Sequence, residues 1–438
     1  MTKRKKKAWV IDVNMGYGHQ RTAFPLKHLA PKEKVINANS YRKIPAKDRR
    51  IWEDSRKFYE LVSQLKRIPL LGFFIFSLYD KFQKIADFYP KRDLSKPNLS
   101  LRWIYFLVKR GWGRDLIEKL KKKGFPLITT FFIPAFMAEV HNFKKEIFCI
   151  ICDADISRTW APLYPCSSKI KYFAPNQRVV DRLKFYGVKK ENIFFSGYPL
   201  PKENLGSENL EKAKRDTARR IVNLDPKGRY REKYKAILKK YLSPLPSRSS
   251  HPLTLMFAVG GAGAQKEIGI KILKSLKEEI KNKKIRLILV AGVRKEVKDY
   301  FKKEIGREQF SANLGKGVRI LFERKIEDYF REFNKALRKT DILWTKPSEL
   351  TFYTALGLPL ILAPTIGSQE DFNKEWILKL GSAIPQKNPR YTKEWLEDLL
   401  NSGWLAEGAM QGFVEGEKIG VFNIEKVVSH QAKIWKIK

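Results

Sequence analysis

Short apolar runs alternate with longer amphipathic segments along most of the chain. Such runs, bounded by polar turns, are typical of strands buried in a parallel sheet, and the intervening segments have helical spacing. The pattern predicts an α/β fold with two doubly wound parallel sheets in succession. The predicted strands are 7–14, 127–132, 146–152, 170–174 and 193–196, then one running from Leu253 into Gly260, and 286–291, 317–322, 341–344 and 358–363.

Two polar loops interrupt the segment from Asp341 to Asn373. The segment predicts a strand at 341–344, a turn, a short helix that Ser348 opens, and a second strand at 358–363. In parallel α/β sheets, ligands bind beyond the carboxyl ends of strands, where helix N-termini present N–H groups to anions. Because both loops follow strand ends, the segment predicts a ligand site.

Length limits the number of domains, and charge limits the classes of partner. A chain of 438 residues fits two domains of about 200 residues each. Its 88 Lys and Arg against 46 Asp and Glu leave a net charge of +42. That excess favours an anionic partner, whether nucleic acid, acidic lipid or a phosphorylated substrate. The alternative is that the basic residues only face water.

Three cysteines occur, Cys149, Cys152 and Cys166. The first two have CxxC spacing but lie in the apolar run IFCIICD, which predicts a central strand. Residues three apart in a strand point to opposite faces, so this pair does not predict a metal site. We expect small core residues, in a protein made in a reducing compartment.

The chain shows no pattern for crossing a membrane. Asp12 cuts short the apolar run that follows the basic N-terminus, so no secretory signal is predicted. The longest uncharged stretch, Ile68 to Tyr79, is shorter than the ~20 residues that span a bilayer. We expect a protein that is soluble or attached to a membrane surface.

Residues 40–125 combine basic clusters with aromatic and aliphatic side chains, as in LRWIYFLVKRGWGR at 101–114. This mixture suits the interface of an anionic membrane, where apolar groups enter the acyl boundary and cations meet phosphates. The alternative is an ordinary helical insert that packs on its own domain.

Four stretches, in order along the chain, resemble one glycosyltransferase family. They are GYGHQRTA (16–23), CDADISRTWAP (152–162), YFAPNQRVVDRLKFYGVKKENIFFSGYP (172–199) and TKPSELTFYTALGLPLIL…GSQEDFN (345–373). The family holds the monogalactosyldiacylglycerol synthases, the processive diglucosyldiacylglycerol synthases and the lipid II-forming N-acetylglucosaminyltransferase. The resemblance implies GT-B architecture, in which two Rossmann-like domains face a cleft, and inverting transfer from a UDP-sugar to a lipid acceptor.

A glycine-rich turn follows the predicted strand that begins at Leu253, and it predicts a binding site for a diphosphate. Glycines let backbone N–H groups approach a pyrophosphate, and a helix N-terminus stabilises its charge without a metal. The turn lacks the Lys and Ser/Thr of a Walker loop, which makes ATP a poor candidate. The alternative is a tight structural turn. The residues expected to bind are Gly260, Gly261, Gly263 and Gln265.

The resemblance implies further donor contacts. Ile326 would meet the uracil through its backbone, the turn from Ser348 to Thr351 would face the phosphates, and Gln369 and Glu370 would bind sugar hydroxyls, with Asn373 in the same segment. Carboxylate and amide groups match the donors and acceptors on a hexose.

The chain departs from the family at three places. Ser348 and Glu349 stand where glycines are usual, and Thr354 replaces a Glu that holds the ribose hydroxyls. Thr354 offers one hydrogen bond instead of two. Glu349 could replace the missing carboxylate or repel a diphosphate. Tyr17 replaces a glycine and could narrow the acceptor site.

His19 is the first candidate for the base that inversion requires. It lies in a glycine turn at a strand end, and the ordinary pKa of histidine, about 6.5, suits proton transfer near neutrality. Asp153 or Asp155 could orient it or could be the base, and without the family a lone His is more often a packing residue. The residues expected at the acceptor site are Gly16, Tyr17, Gly18, Pro134, Phe136 and Trp160.

We therefore expect a hexosyltransferase without metal or cofactor, which moves a hexose or N-acetylhexosamine from a UDP-sugar to a diacylglycerol-like or polyprenyl-linked acceptor. It would be cytoplasmic and peripheral on the inner face of the cell membrane. The expected parts are an acceptor-binding, membrane-associating domain at 1–200, a linker and basic insertion at 201–252, a nucleotide-sugar domain at 253–423 and a terminal helix at 424–438.

Two other functions stay open. The charge also fits a nucleic-acid-binding protein on a catalytically altered GT-B fold, although no RNA-binding signature occurs. An enzyme like the UDP-N-acetylglucosamine 2-epimerases would keep the fold and change the reaction.

Overall fold

The computed structural model describes residues 7–65, 85–242, 244–258, 263, 265–365 and 368–429. Gly260, Gly261, the apolar stretch 68–79 and residues 430–438 of the predicted terminal helix lie outside the described residues. The chain divides into two compact units. The first takes in Met1–Pro199, Ile366–Asn373 and Ile419–Lys438, and the second takes in Leu200–Thr365 and Lys374–Lys418.

The first unit is built on a six-stranded parallel sheet in the order β2-β1-β3-β4-β5-β6. Its register pairs Ile11 with Thr129, and Cys149 with Tyr172. The central strands are apolar on both faces because helices cover both sides of such a sheet. The strands are β1 Trp9–Asp12, β2 Ile36–Asn37, β3 Leu127–Thr129, β4 Ile147–Ile150, β5 Ile170–Ala174 and β6 Ile193–Phe195.

Seven α-helices lie wholly among the described residues of the first unit. Asn98 and Asn176 each begin one of them, since their side chains accept hydrogen bonds from the N–H groups of Leu101 and Val179. The helices are α1 Tyr17–Ala23, α2 Ala46–Leu65, α3 Leu99–Lys109, α4 Arg114–Lys121, α5 Phe132–Val140, α6 Gln177–Phe185 and α18 Gly420–Val428. Short 3-10 helices occupy Phe24–Leu29, Pro31–Glu33, Arg158–Trp160 and Lys190–Asn192.

Helix α18 brings the end of the chain back to the first unit. Gly420 packs directly on the carbonyl groups of Gly197 and Tyr198, where no Cβ would fit. The Asn423 amide donates to Ser196 O at 2.9 Å, and His28 Nε2 lies 2.6 Å from Glu425 Oε1. These contacts fix the helix beside β6.

The second unit holds a parallel sheet of six strands in the order β9-β8-β7-β10-β11-β12. Numbered from its own first strand, this is the order 3-2-1-4-5-6 of dinucleotide-binding folds. The strands are β7 Leu253–Ala258, β8 Ile285–Gly292, β9 Val318–Phe322, β10 Ile342–Thr345, β11 Leu360–Leu362 and β12 Ala383–Pro385.

Helices surround the second sheet as well. They are α7 Lys202–Leu205, α8 Glu211–Leu224, α9 Arg229–Lys233, α10 Lys235–Tyr241, α11 Lys266–Ser275, α12 Lys277–Lys281, α13 Lys295–Arg307, α14 Ile326–Leu337, α15 Ser368–Lys379, α16 Thr392–Asn401 and α17 Trp404–Glu415. The division between the units falls inside α15. The 3-10 helices are Ser311–Asn313, Glu349–Leu356 and Pro389–Tyr391.

Residues 201–252, treated above as linker and insertion, contribute helices to the second unit. Arg220 of α8 is buried and joins three segments of that unit. Its Nε donates to Thr340 O at 2.7 Å, and its Nη1 donates to Leu356 O at 2.7 Å and to Gly357 O at 3.1 Å. Helix α8 is therefore part of the helical layer on the second sheet.

The predicted α/β class with two successive parallel sheets is confirmed. The strand expected at 127–132 stops at Thr129, because Phe132 already begins α5 and puts Pro134 in its first turn, where proline costs no hydrogen bond. The short edge strands β2 and β12 and the helices α16 and α17 were not predicted. Among the described residues no helix has both the length and the apolarity to cross a bilayer.

Candidate functional site

Strand order locates one ligand-binding edge in each unit. In doubly wound sheets the ligand lies beyond the carboxyl ends of the two strands where the order reverses. In the first sheet these strands are β1 and β3, and in the second they are β7 and β10. The residues that follow these four strands are therefore the candidates for ligand binding.

His19 lies at the first of these edges and is held there by Thr130, which follows β3. Its Nδ1 is 2.8 Å from Thr130 O, and Thr130 Oγ1 donates to His19 O at 3.0 Å. A carbonyl oxygen only accepts, so Nδ1 carries the proton and Nε2 of the neutral ring carries the lone pair. Cys152 Sγ also lies 3.4 Å from Nδ1. The ring is thus fixed in the tautomer that a base acting through Nε2 needs.

Aromatic side chains surround this imidazole. The Phe131 ring meets it edge to face with centroids 4.7 Å apart, and the Trp160 ring lies 6.3 Å away. Trp160 is 2% exposed and Phe136 is fully buried, packing on Tyr105 with ring centroids 5.0 Å apart. Pro134 is buried in the first turn of α5. Trp160 thus lies beside the histidine, while Pro134 and Phe136 are core residues of α5, and the acceptor role of all three stays a prediction.

The glycine turn before His19 adopts the conformation that its sequence suggests. Gly16 has φ 95°, which only glycine adopts readily, and it precedes the first residue of α1, Tyr17. Tyr17, Gly18 and His19 are all partly exposed. The structure therefore brings these predicted acceptor residues together with the candidate base.

The two aspartates that follow β4 have different surroundings. Asp155 is 3% exposed, and its carboxylate accepts from Arg182 Nε at 2.9 Å, from Arg182 Nη2 at 2.8 Å and from Arg178 Nε at 2.9 Å. Asp155 is thus held in ion pairs with two arginines of α6, and its part in catalysis stays a prediction. Asp153 is partly exposed.

Asn373 contacts the loop that follows β4. Its Oδ1 accepts from Ala154 N at 2.7 Å and its Nδ2 donates to Asp153 Oδ1 at 3.3 Å. The side chain is 1% exposed. Its amide thus holds the loop after β4, and its role in donor binding stays a prediction.

The two free cysteines near this edge are buried. Burial raises the pKa of the Cys149 thiol well above its ordinary range, so this group stays neutral within β4. Its role is that of a small core residue.

In the second unit, the turn after β7 leads into α11. Gly263 has φ 68° and Gln265 has φ 64°, both left-handed. The Gln265 amide donates to Pro364 O at 2.9 Å, which ties the turn to the segment after β11. Gly269, inside α11, was missed by the sequence analysis. A Cβ there would lie 2.9 Å from Phe257 and 3.0 Å from Leu289, so this glycine lets the helix pack tightly on β7 and β8.

The segment after β10 forms a capped turn. Ser348 precedes the 3-10 helix Glu349–Leu356 and its side chain accepts from Leu350 N. Thr351 is fully buried and its hydroxyl donates to Ser348 O at 2.8 Å. Glu349 is 8% exposed. Lys346 and Ser348 are partly exposed, so they are the polar side chains that this turn presents.

Thr354 does not belong to the ligand edge. Its side chain is fully buried and its hydroxyl shares a hydrogen bond with Ser382. A Cβ on Gly412 of α17 would collide with this hydroxyl, so α17 covers it. The 3-10 helix thus turns this residue towards α17, an orientation that does not support the predicted contact with a ribose.

The remaining donor candidates lie at helix starts. Ile326 is the first residue of α14 and is partly exposed. Gln369 and Glu370 lie in the first turn of α15 and are partly exposed. Their roles stay predictions.

A second exposed feature of the first unit is a face of α3. Leu99, Trp103 and Phe106 are 68%, 60% and 40% exposed, while Leu101, Tyr105 and Val108 bury the opposite face. Trp103 and Phe106 stack with centroids 5.2 Å apart, and the Arg110 guanidinium lies 4.3 Å over the Phe106 ring. We call Leu99, Trp103, Phe106 and Arg110 the α3 surface.

Comparison with known proteins leaves the activity open. Residues 246–429 match a family model described as "Domain of unknown function (DUF6938)". No curated protein matches the chain significantly. The resemblance to lipid glycosyltransferases therefore stays a prediction from motifs.

Several solved structures are similar over nearly the whole chain. MurG of Acinetobacter baumannii is 14% identical, with 97% of this chain and 99% of that chain covered and a TM-score of 0.48. MnaA of S. aureus, in a co-structure with UDP, is 13% identical, with coverage of 97% and 96% and a TM-score of 0.46. A glycosyltransferase of Rickettsia africae is 12% identical, with coverage of 98% and 100% and a TM-score of 0.44. Likenesses this distant carry no conclusion about activity.

Proposed function

We propose that this chain is an inverting glycosyltransferase that moves a hexose or N-acetylhexosamine from a UDP-sugar to the hydroxyl of a lipid acceptor at a membrane surface. The observation that carries the proposal is His19, whose Nδ1 contacts Thr130 O at 2.8 Å at the ligand edge of one sheet. The same chain contains a second sheet with the strand order of dinucleotide-binding folds.

The donor would bind at the carboxyl ends of β7 and β10. The left-handed Gly263 and the closely packed Gly269 support a backbone cradle for the diphosphate. Lys346, the first residue after β10, would add a cation at the end of that strand. Glu349, which is 8% exposed, is the carboxylate of this turn that would meet the ribose hydroxyls.

The reaction would use Nε2 of His19 as the base. The acceptor hydroxyl attacks the anomeric carbon, its proton passes to Nε2, and the bond from the sugar to UDP breaks on the opposite face. UDP leaves with the bonding electrons, and the anomeric configuration inverts. The Nδ1–H bond to Thr130 O stabilises the imidazolium that forms, because that carbonyl keeps accepting from it.

The α3 surface supports a lipid acceptor. Exposed Trp, Phe and Leu side chains beside Arg are the composition of membrane-interface helices, whose apolar groups enter the acyl boundary. This surface would hold the first unit on the cytoplasmic leaflet, from which the acceptor reaches Gly16, Tyr17 and Gly18.

The test is a thermal-shift panel with UDP, GDP and their sugars, followed by turnover assays on His19→Ala. UDP at a hundredfold excess over its Kd should raise the Tm by roughly 5–10 °C. The His19→Ala variant should keep this shift and lose about 100- to 10,000-fold in kcat, the usual contribution of a general base.

His28→Gln is the control, because this histidine of the same unit pairs with Glu425 through a 2.6 Å contact and should not affect turnover. Turnover that survives in His19→Ala would contradict the proposed base. Steeply salt-dependent RNA binding without any shift on adding UDP would favour the nucleic-acid alternative, and conversion of UDP-N-acetylglucosamine without an acceptor would favour an epimerase.

A further inference from the structure

Helices α9 and α10 of the second unit follow one another with only Tyr234 between them and form a short basic segment, residues 227–241. Six of its side chains are exposed cations, and Glu232 is its one acidic residue. We call residues 227–241 the basic segment. Its exposed cations are Lys227, Arg229, Lys233, Lys235, Lys239 and Lys240.

The basic segment is fixed to the rest of its unit. Asp225 is fully buried and accepts from Tyr230 N at 3.3 Å, from Arg231 N at 2.9 Å and from Arg231 Nε at 3.2 Å. Tyr230 and Leu238 are buried, and Gly403, which precedes α17, lies so close that a Cβ there would be 3.2 Å from Tyr230 Cβ. The cations are therefore presented on an ordered base.

None of these six cations has a carboxylate partner in the described part of the chain, whereas helix spacing supplies one to several other lysines of this unit. Lys281 lies 3.0 Å from Glu278, Lys335 lies 3.6 Å from Glu332 and Lys379 lies 2.6 Å from Glu375. The positive charge of the basic segment is thus uncompensated and favours an anionic partner.

An aliphatic side chain lies among these cations. Ile237 is 41% exposed, and a spacing of three residues within α10 puts Lys240 on the same side of that helix. The Lys233 and Lys240 ammonium groups lie 5.1 Å and 5.2 Å over the rings of Tyr234 and Tyr241. Lysines with long apolar stems around an aliphatic side chain suit a membrane surface, where charged headgroups lie above an apolar acyl region.

We propose that the basic segment docks on an anionic phospholipid surface. A nucleic acid is less well matched, because base readout and stacking use Arg, Asn, Gln and open aromatic faces, whereas five of the six cations are Lys and both tyrosine rings are half covered. The docking does not depend on sugar transfer and adds to the α3 surface an attachment point in the other unit.

The test compares two quadruple-substitution variants of the full chain. Their binding is measured by sedimentation with phosphatidylcholine vesicles that contain or lack phosphatidylglycerol. The first replaces Lys233, Lys235, Lys239 and Lys240 by Gln. An interfacial cation contributes roughly fivefold to partitioning onto anionic lipid, so this variant, which lacks four of them, should bind anionic vesicles roughly several hundredfold more weakly. The loss should shrink as salt is added.

The control removes the same charge from paired lysines. It replaces Lys121, Lys281, Lys335 and Lys379, each within 3.6 Å of a Glu carboxylate, by Gln. Its binding should stay within a few fold of the unchanged chain. Equal losses in the two variants would show diffuse charge attraction and overturn the proposal, as would full binding by the first variant.

Ile237→Ser separates a membrane from a nucleic acid. Vesicle binding should fall severalfold, since the apolar contact is lost, while binding of single-stranded RNA should not change. A variant of the basic segment that loses RNA binding but keeps vesicle binding would overturn the proposal. The Tm shift with UDP should be the same in all these variants. The result of the membrane-binding test therefore does not depend on whether the chain transfers sugars.

Discussion

Asp341, at the start of the segment that carries several donor candidates, is fully buried at the amino end of β10. Its Oδ2 accepts from Asn223 Nδ2 at 2.9 Å and from Thr254 N at 2.8 Å, and His251 Nδ1 lies 3.7 Å away. Burial raises the pKa of this carboxyl to about 7. The backbone hydrogen bond from Thr254 and the positive charges of Arg220 and Arg219 act in the opposite direction and lower the pKa, but the effect of burial is larger. The unfolded chain ionises this group near the ordinary pKa of Asp, about 4.

Asp341→Asn should therefore change how stability depends on pH. Because the folded-state pKa is raised, the stability that the neutral carboxyl contributes is present below the unfolded pKa and is lost as pH rises towards about 7. Asn cannot ionise and keeps an oxygen for Thr254 N. Relative to the unchanged chain, the variant should gain on the order of 3–4 kcal/mol between pH 4 and pH 7.5.

Urea titrations across this range measure the effect. His251 also titrates there, with its pKa lowered by burial, but it is present in both proteins. Parallel curves of unfolding free energy against pH would mean that Asp341 is ionised in the fold at neutral pH.

The α3 surface is a property of one element. Double substitution of Trp103 and Phe106 by Ser removes side chains that are 60% and 40% exposed, so the fold should stay intact. Each ring would transfer apolar area worth about 1.5–3 kcal/mol into a membrane, and partitioning onto vesicles should fall at least tenfold. This loss should persist at high salt, since apolar contacts are not screened.

Tyr391→Ser is the control for that variant. Tyr391 lies in the second unit and is 55% exposed, and α16, which follows it, has no exposed aromatic side chain. Vesicle sedimentation at low and high salt gives the readout. If the control falls as far as the double variant, the α3 surface has no special role.

Elements were predictable where local pattern decides them. The apolar runs at β4, β5 and β8 have no alternative to burial in a parallel sheet, and their predicted positions agree with the structure. Gly16 was identifiable because its left-handed backbone favours glycine. The edge strand β12 was missed because three residues with one buried position carry little pattern.

Roles of side chains were harder to predict, because distant segments decide them. Thr354 turns towards Ser382 and Gly412, which come much later in the chain. Asp155 and Asp153 are alike in sequence, but only Asp155 meets Arg178 and Arg182 on the following helix. Sequence spacing gives no account of these pairings.

At the scale of the whole molecule, the chain does not divide into two consecutive halves. Helix α8 comes before the second sheet in sequence but belongs to its helical layer, where Thr217 Oγ1 donates to Leu356 O at 3.1 Å. Helix α18 follows the second unit but packs on β6 of the first. Domain boundaries therefore do not coincide with the matched region 246–429.

This arrangement predicts the behaviour of two fragments. Residues 246–429 lack α8, so they lose the Arg220 bonds to Thr340 O and Leu356 O and the burial of Ile221 and Leu224. Each buried aliphatic side chain is worth about 1.5–3 kcal/mol, and the lost total is comparable with the roughly 5–15 kcal/mol that stabilise a domain. This fragment should show no cooperative unfolding. Residues 200–418 keep α8 and should unfold in one sharp urea transition by far-UV circular dichroism. A cooperative transition in the shorter fragment would show that α8 is dispensable to the second sheet.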